Sequence, residues 1–217
     1  MVKKRILLTL SGTHGSGKST NAGKCYYLLN KSGYRFSYLR NQDLLDPFGF
    51  IVRRAARILH VEPARLETAR PTRVAWSIYL LFIYCPILLT GIRLRYLLGY
   101  NVVCDRYIYD VMVGFRDNHL RIPSENLLLR LLPRPNISFV LDAPEQRILV
   151  NRPEHSDDFI RMEKILYRHV AEHFSLTEIS TSDPPNVVWE IMLSDIKAAL
   201  GEKGSPHPIR IEQVIAQ

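Results

Sequence analysis

The chain has 217 residues, 47% of them hydrophobic and 23% charged, the balance of an ordinary soluble globular domain with room for a sizeable core. Its net charge of +8 suits an anionic ligand, but the lysines and arginines are scattered and form no basic block interleaved with aromatics, so no nucleic-acid partner is expected. Cys25, Cys85 and Cys104 are widely spaced, odd in number and without any CxxC or Cys/His pairing, which argues against a disulfide framework or structural metal and for small apolar fillers.

The apolar run after Met1-Val2-Lys3-Lys4-Arg5 stops at Ser11-Gly12, too soon for a signal peptide, and a cytoplasmic location is the default. Lys4 to Leu10 reads as a buried strand and Lys18 to Asn30 as a helix stopped by Ser32-Gly33. Tyr34 to Leu39 predicts a second strand. Helical stretches follow from about Gln42 to Arg70, broken near Pro47 and Pro63, then a long apolar helix from about Pro71 to Leu98, ended by Gly99. Asn101 to Cys104 is a further buried strand. Ser124 caps a helix reaching Leu132, and Asn136 to Leu141 is a strand closed by Asp142. Ala143 to Val150 and Asp157 to Phe174 predict helices around a polar break. Glu178 to Thr181 is a weak strand, Pro185 to Leu200 a last helix, and the tail beyond Gly201 is peripheral. Strands and helices alternating in this way imply a parallel sheet covered on both faces, with its ligand at the carboxyl ends of the strands.

Between Arg73 and Arg93 there is no formal charge, a length that could nearly span a bilayer. Pro86 and Gly91 oppose that reading. A crossing here would also separate the glycine-rich loop below from the Asp105 motif, so no membrane is expected.

Gly12-Thr13-His14-Gly15-Ser16-Gly17-Lys18-Ser19 fits the Walker A pattern at every fixed position. Its glycines let successive backbone N–H groups turn inward into an anion cradle, and the positive end of the following helix faces the same point. Lys18 would reach the β- and γ-phosphates of ATP, and the Ser19 hydroxyl would ligate magnesium. A chance match in a chain of this length is expected less than about once in a hundred sequences. No Asn-Lys-x-Asp element marks a guanine-specific switch; the nearest string, Asn30-Lys31-Ser32-Gly33, lacks the aspartate.

Asn101-Val102-Val103-Cys104-Asp105-Arg106-Tyr107 ends an apolar strand on an acid and a guanidinium. Asp105 could hold magnesium through water or orient the acceptor, and the planar fork of Arg106 suits an acceptor phosphate. The alternative is an Asp–Arg surface pair.

Together, Gly12–Ser19 and Asp105-Arg106-Tyr107 resemble the thymidylate kinase family of P-loop nucleoside monophosphate kinases, and the order of elements matches from about Lys4 to Leu200. The resemblance implies an α/β, three-layer P-loop NTPase fold: a parallel five-stranded sheet flanked by helices, with a small lid. It assigns residues 1–200 to the kinase domain, about 143–158 to the lid and 201–217 to a tail. It implies ATP and Mg2+ as cofactors, transfer of the γ-phosphoryl group to thymidine monophosphate (dTMP to dTDP), and a homodimer. Gly12, Thr13, His14, Gly15, Ser16, Gly17, Lys18, Ser19 and Thr20 would then hold the nucleotide, with Ser19 and Asp105 on the metal. Lys18, Asp105, Arg106, Arg147 and Arg152 would act in catalysis, the last two from the lid, although a solvated basic helix face is the alternative for them. Arg40, Arg73, Phe82, Arg106 and Tyr107 would face the acceptor, with core packing the alternative for Phe82 and Tyr107.

Two departures fall on the acceptor side. His14 or its neighbours stand where the family usually carries a loop aspartate, and Cys85 stands where it usually has an arginine, with Arg73 or Arg70 as substitutes from another turn. Two other readings stay open: a kinase for a nucleoside or other small alcohol, and an ATP-binding regulator without turnover.

Overall fold

A computed structural model describes residues 5–41, 70–117, 125–151 and 156–201, together with 54, 57 and 58. The helical stretches expected between 42 and 69, the Ser124 cap, Arg152 and the tail after 201 lie outside the described residues, apart from isolated helical positions at 54, 57 and 58.

Five strands form one parallel sheet in the order β2-β3-β1-β4-β5. They are β1 (Leu7–Gly12), β2 (Phe36–Arg40), β3 (Asn101–Asp105), β4 (Ile137–Asp142) and β5 (Thr177–Ser180). The register aligns Arg40 and Leu10 with Asp105, and Gly12 with Leu141. The carboxyl ends of the strands thereby share one edge. β1 to β4 end one or two residues later than their apolar patterns predict, because the terminal polar residues still pair in the ladder, and β1, β2 and β4 begin one to three residues later.

The central strands are buried on both faces, and successive side chains point to opposite sides of the sheet, which divides the core in two. Ile6, Leu8, Leu10, Phe139 and Leu141 pack with α1 (Lys18–Lys31) and with Trp189, Met192 and Ile196 of the last helix, Pro185–Ala199. Leu7, Val102, Cys104 and Val140 pack on the other face with the middle helices. Those are α2 (Arg70–Tyr79) and α3 (Cys85–Leu97), then α4 (Ile108–Asp117) and α5 (Glu125–Leu131). Next come α6 (Glu145–Asn151) and α7 (Asp157–Phe174), and the last helix is α8. The sequence pattern does not announce α4.

The long apolar helix is present but not uniform. Leu80–Tyr84, between α2 and α3, is π-helical, and the Cys85 N–H bonds to Leu80 O. Pro86 explains it: a proline has no N–H to give the carbonyl four residues back, and its ring crowds that carbonyl. The stretch Pro71–Leu97 is long and apolar enough to cross a membrane, but a third of its most apolar window is buried in the protein. Tyr84, Cys85, Leu88 and Ile92 face the sheet, while Ile78, Phe82, Ile83, Ile87 and Leu94 are exposed.

Candidate active site

The loop joining β1 to α1 is built around two glycine positions. Gly12 has φ +141, and a Cβ there would lie 2.1 Å from Leu141 O, so β4 passes too close for any other residue. Gly17, with φ +84, turns the chain into α1 and leaves that helix with no side-chain cap and no acid in its first turn. The N–H groups of a first helical turn have no intrahelical partner, so this end of α1 has the chemistry to accept an anion.

Lys18 is buried, and its Nζ donates to Gly12 O at 2.7 Å and Thr13 O at 2.6 Å. Burial, then the charge of Arg106, draws its ammonium down from 10.5 to about 8, against the opposing pull of Asp110, Glu163 and Asp105. Thr13 Oγ1 and Ser16 Oγ are buried and without a hydrogen-bond partner. Ser19 and Thr20 are exposed on the open side of the helix.

Asp105 is fully buried at the end of β3. Its Oδ2 accepts a hydrogen bond from the Tyr38 hydroxyl at 2.7 Å, whereas its Oδ1 has no partner. Arg106 takes a left-handed backbone at φ +70, an uncommon conformation for a side-chain-bearing residue. Its N–H donates to Leu10 O, its Nε is buried without a partner, and one terminal nitrogen lies 3.7 Å from Asp110.

Asp110 was not anticipated from sequence. It accepts from Ser11 Oγ at 2.6 Å, from the Tyr107 N–H at 3.0 Å and from the Tyr167 hydroxyl at 2.8 Å. The Tyr107 contact is the reach-back half of a capping box at the start of α4, so an acid three residues after Tyr107 was the available signal. Through Asp110, the end of β1, the Arg106 turn and α7 share one carboxylate.

Glu163 on α7 was also missed. The His14 N–H donates to its Oε2 at 2.9 Å and the His14 Nδ1–H to its Oε1 at 2.6 Å. Burial works to raise the Glu163 carboxyl, but the bonds and charge of His14 and the charge of Lys18 hold it below its ordinary value. Asn41, buried just past β2, likewise gave no signal. Its amide nitrogen donates to the Tyr84 hydroxyl at 2.7 Å and its Oδ1 has no partner.

The other expected residues divide. Arg147 donates to Thr181 O at 2.7 Å. It lines a cleft of about 410 Å³ between Gly17, Thr20 and Lys24 on one side and Thr181 and Asp183 on the other. Arg40 stands opposite Asp105 at the end of β2. Arg73, on α2, is half-buried with its Nε unpartnered. Phe82 is 74% exposed on the π-helical segment, so the alternative of core packing is corrected: it lies two positions from both Leu80 and Tyr84, which are buried, and so faces away from them. Tyr107 is corrected in the other direction. It is buried in the core and donates its hydroxyl hydrogen to Pro133 O at 2.6 Å, because the Arg106 turn directs it under the sheet edge.

Nucleotide and magnesium can be tested against these donors. The unpartnered Asp105 Oδ1, Thr13 Oγ1, Ser16 Oγ and Arg106 Nε are buried polar atoms of the types that bind a cation and phosphate oxygens. Among the described residues no group of three His, Cys, Asp or Glu side chains could hold a metal by itself. A cation bound beside Asp105 would take its remaining ligands from hydroxyl, phosphate and water, the habit of magnesium. The residues fit. No protein-family model matches the chain, and no curated protein matches it.

Proposed function

We propose that this chain is an ATP-dependent phosphotransferase of the P-loop NTPase fold that transfers the γ-phosphoryl group to a nucleoside monophosphate, with dTMP as the leading acceptor. The five-stranded parallel sheet flanked by helices is compatible with that fold. One observation carries the reading: a glycine-shaped loop with a buried lysine lies one strand from a buried acid and a guanidinium, each with an unpartnered polar atom.

Phosphoryl transfer asks a protein for positioning and charge neutralisation more than for covalent help. The backbone N–H groups at the start of α1 bind phosphate oxygens, and Lys18 neutralises charge on them. Magnesium, held by Ser19 and Asp105, would neutralise the β- and γ-oxygens further. Arg106 binds the acceptor phosphate, and Arg40 and Arg73 flank it. Arg147 lies against the cleft beside α1, where it can add charge on the nucleotide side, and Arg152 is proposed to join it from the lid. Phe82 is proposed to meet the acceptor base.

A cytoplasmic enzyme without membrane or nucleic-acid partners is part of the proposal, supported by the packing of Tyr84, Leu88 and Ile92 onto the sheet. The exposed Ile78, Ile83, Ile87 and Leu94 support a homodimer that covers them. A coupled ADP-release assay across nucleoside monophosphates and nucleosides tests the function. Turnover with dTMP well above other acceptors, abolished by Lys18→Ala, is the expected result. Turnover confined to unphosphorylated acceptors, or undiminished in Lys18→Ala, would overturn it.

A further inference from the structure

We propose that Glu163, 149 residues away in sequence from the loop it touches, is a positioning residue for the phosphate loop, setting the His14 peptide and ring through both of its carboxylate oxygens. The inference rests on the nucleotide-binding reading of that loop.

The geometry is specific. One carboxylate takes two hydrogen bonds from one loop residue, the peptide N–H at 2.9 Å and the ring Nδ1–H at 2.6 Å. A two-point contact fixes the direction of the loop as well as its distance, which a single bond to a flexible side chain cannot do. Glu163 is only 3% exposed, and a carboxylate is not left in such a place unless partners compensate it. The His14 contacts are the compensation, and the charge of Lys18 adds to it.

The helix bearing Glu163 is itself anchored at neighbouring positions. Lys164 pairs with Asp142 Oδ2 at 3.1 Å and donates to Ala143 O at 2.9 Å, fastening α7 to the end of β4. Tyr167, one turn on and therefore on the same face as Glu163, donates to Asp110. Glu163 and Tyr167 thus brace from one helix the two chain segments that meet at the site: the loop after β1 and the Asp105-Arg106 turn after β3. Gly15 and Gly17 give the loop conformational freedom. Glu163 takes some of that freedom away before a ligand arrives, and prior ordering of this kind lowers the entropic cost of binding.

His14→Ala and Glu163→Ala separate this role from ring chemistry, because His14→Ala keeps the hydrogen bond that the peptide N–H donates to the carboxylate and Glu163→Ala loses both contacts. Ile160→Val, one turn earlier in the buried core of α7, is the control for simple destabilisation. ATP affinity is measured directly with a fluorescent ATP analogue and by calorimetry, without an acceptor. Glu163→Ala should weaken ATP binding at least about tenfold, His14→Ala about threefold, and Ile160→Val not measurably. In steady-state assays the Glu163→Ala loss should fall on both the KM for ATP and kcat, with partial recovery in Glu163→Gln, which restores one acceptor. Equal ATP affinity in Glu163→Ala and the parent would overturn the inference alone, as would an equal loss in Ile160→Val. A parent protein that binds no ATP would overturn it together with the functional reading.

Discussion

The Tyr38 hydroxyl and the Asp105 carboxylate, on neighbouring parallel strands, are joined by a 2.7 Å hydrogen bond that occupies Oδ2 and leaves Oδ1 without a partner. Burial, and then the bond to the carboxylate, raise the tyrosine well above its ordinary range, so it stays a donor at any working pH. Tyr38→Phe should leave a buried carboxylate oxygen unpaired and cost about 1–3 kcal/mol of stability in urea unfolding. It should also alter the magnesium dependence of turnover. A loss of stability below about 0.5 kcal/mol would mean that the oxygen finds another partner.

Lys18 makes the ligand-free protein's stability rise with pH. Its folded value of about 8 lies below 10.5, the value expected when unfolded, so between the two the unfolded chain holds the proton and the folded chain does not. The penalty of burying the charge, roughly 3 kcal/mol, is fully present below about pH 8 and is relieved as pH climbs toward 10.5. Chemical denaturation across pH 7 to 10 should show that rise in the parent and a flatter profile in Lys18→Met, which should lose ATP binding at every pH.

Arg106 stands in a backbone region that disfavours any side chain. Arg106→Gly should therefore be more stable than Arg106→Ala by about 1 kcal/mol in thermal or urea unfolding. Both should lose turnover on a monophosphate by at least about a hundredfold, mostly through acceptor affinity. Equal stability of the two variants would show that the turn relaxes when the guanidinium is removed.

Ile83 and Ile87, exposed one turn apart on the long helix, should tolerate replacement by serine with a stability change within about 0.5 kcal/mol in the isolated subunit. If that face joins two copies, sedimentation of the Ile83→Ser, Ile87→Ser double variant should show a shift toward monomer. An unchanged sedimentation coefficient would place the subunit contact elsewhere or remove it.

The local chemistry of this chain was legible without coordinates. Strands of four to six residues, the glycine spacing of the loop after β1 and the acid at the end of β3 are short-range signals, set by backbone sterics and by the polarity of adjacent residues. They singled out Gly12, Lys18, Ser19, Asp105 and Arg106 as candidates. What they lacked was any account of which distant side chains complete these groups. Asp110, Glu163, Asn41 and Tyr38 were assigned no role from sequence. Their partners lie 149 residues apart for Glu163 and His14, and 67 for Tyr38 and Asp105. Only the folding of α7 across the sheet edge, and the pairing of β2 with β3, bring those groups within hydrogen-bond reach. Tyr107 and Phe82 teach the same lesson. Adjacency to a motif and position on a helix said nothing about direction, which was decided by a left-handed turn at Arg106 and by which face of the long helix packs on the sheet.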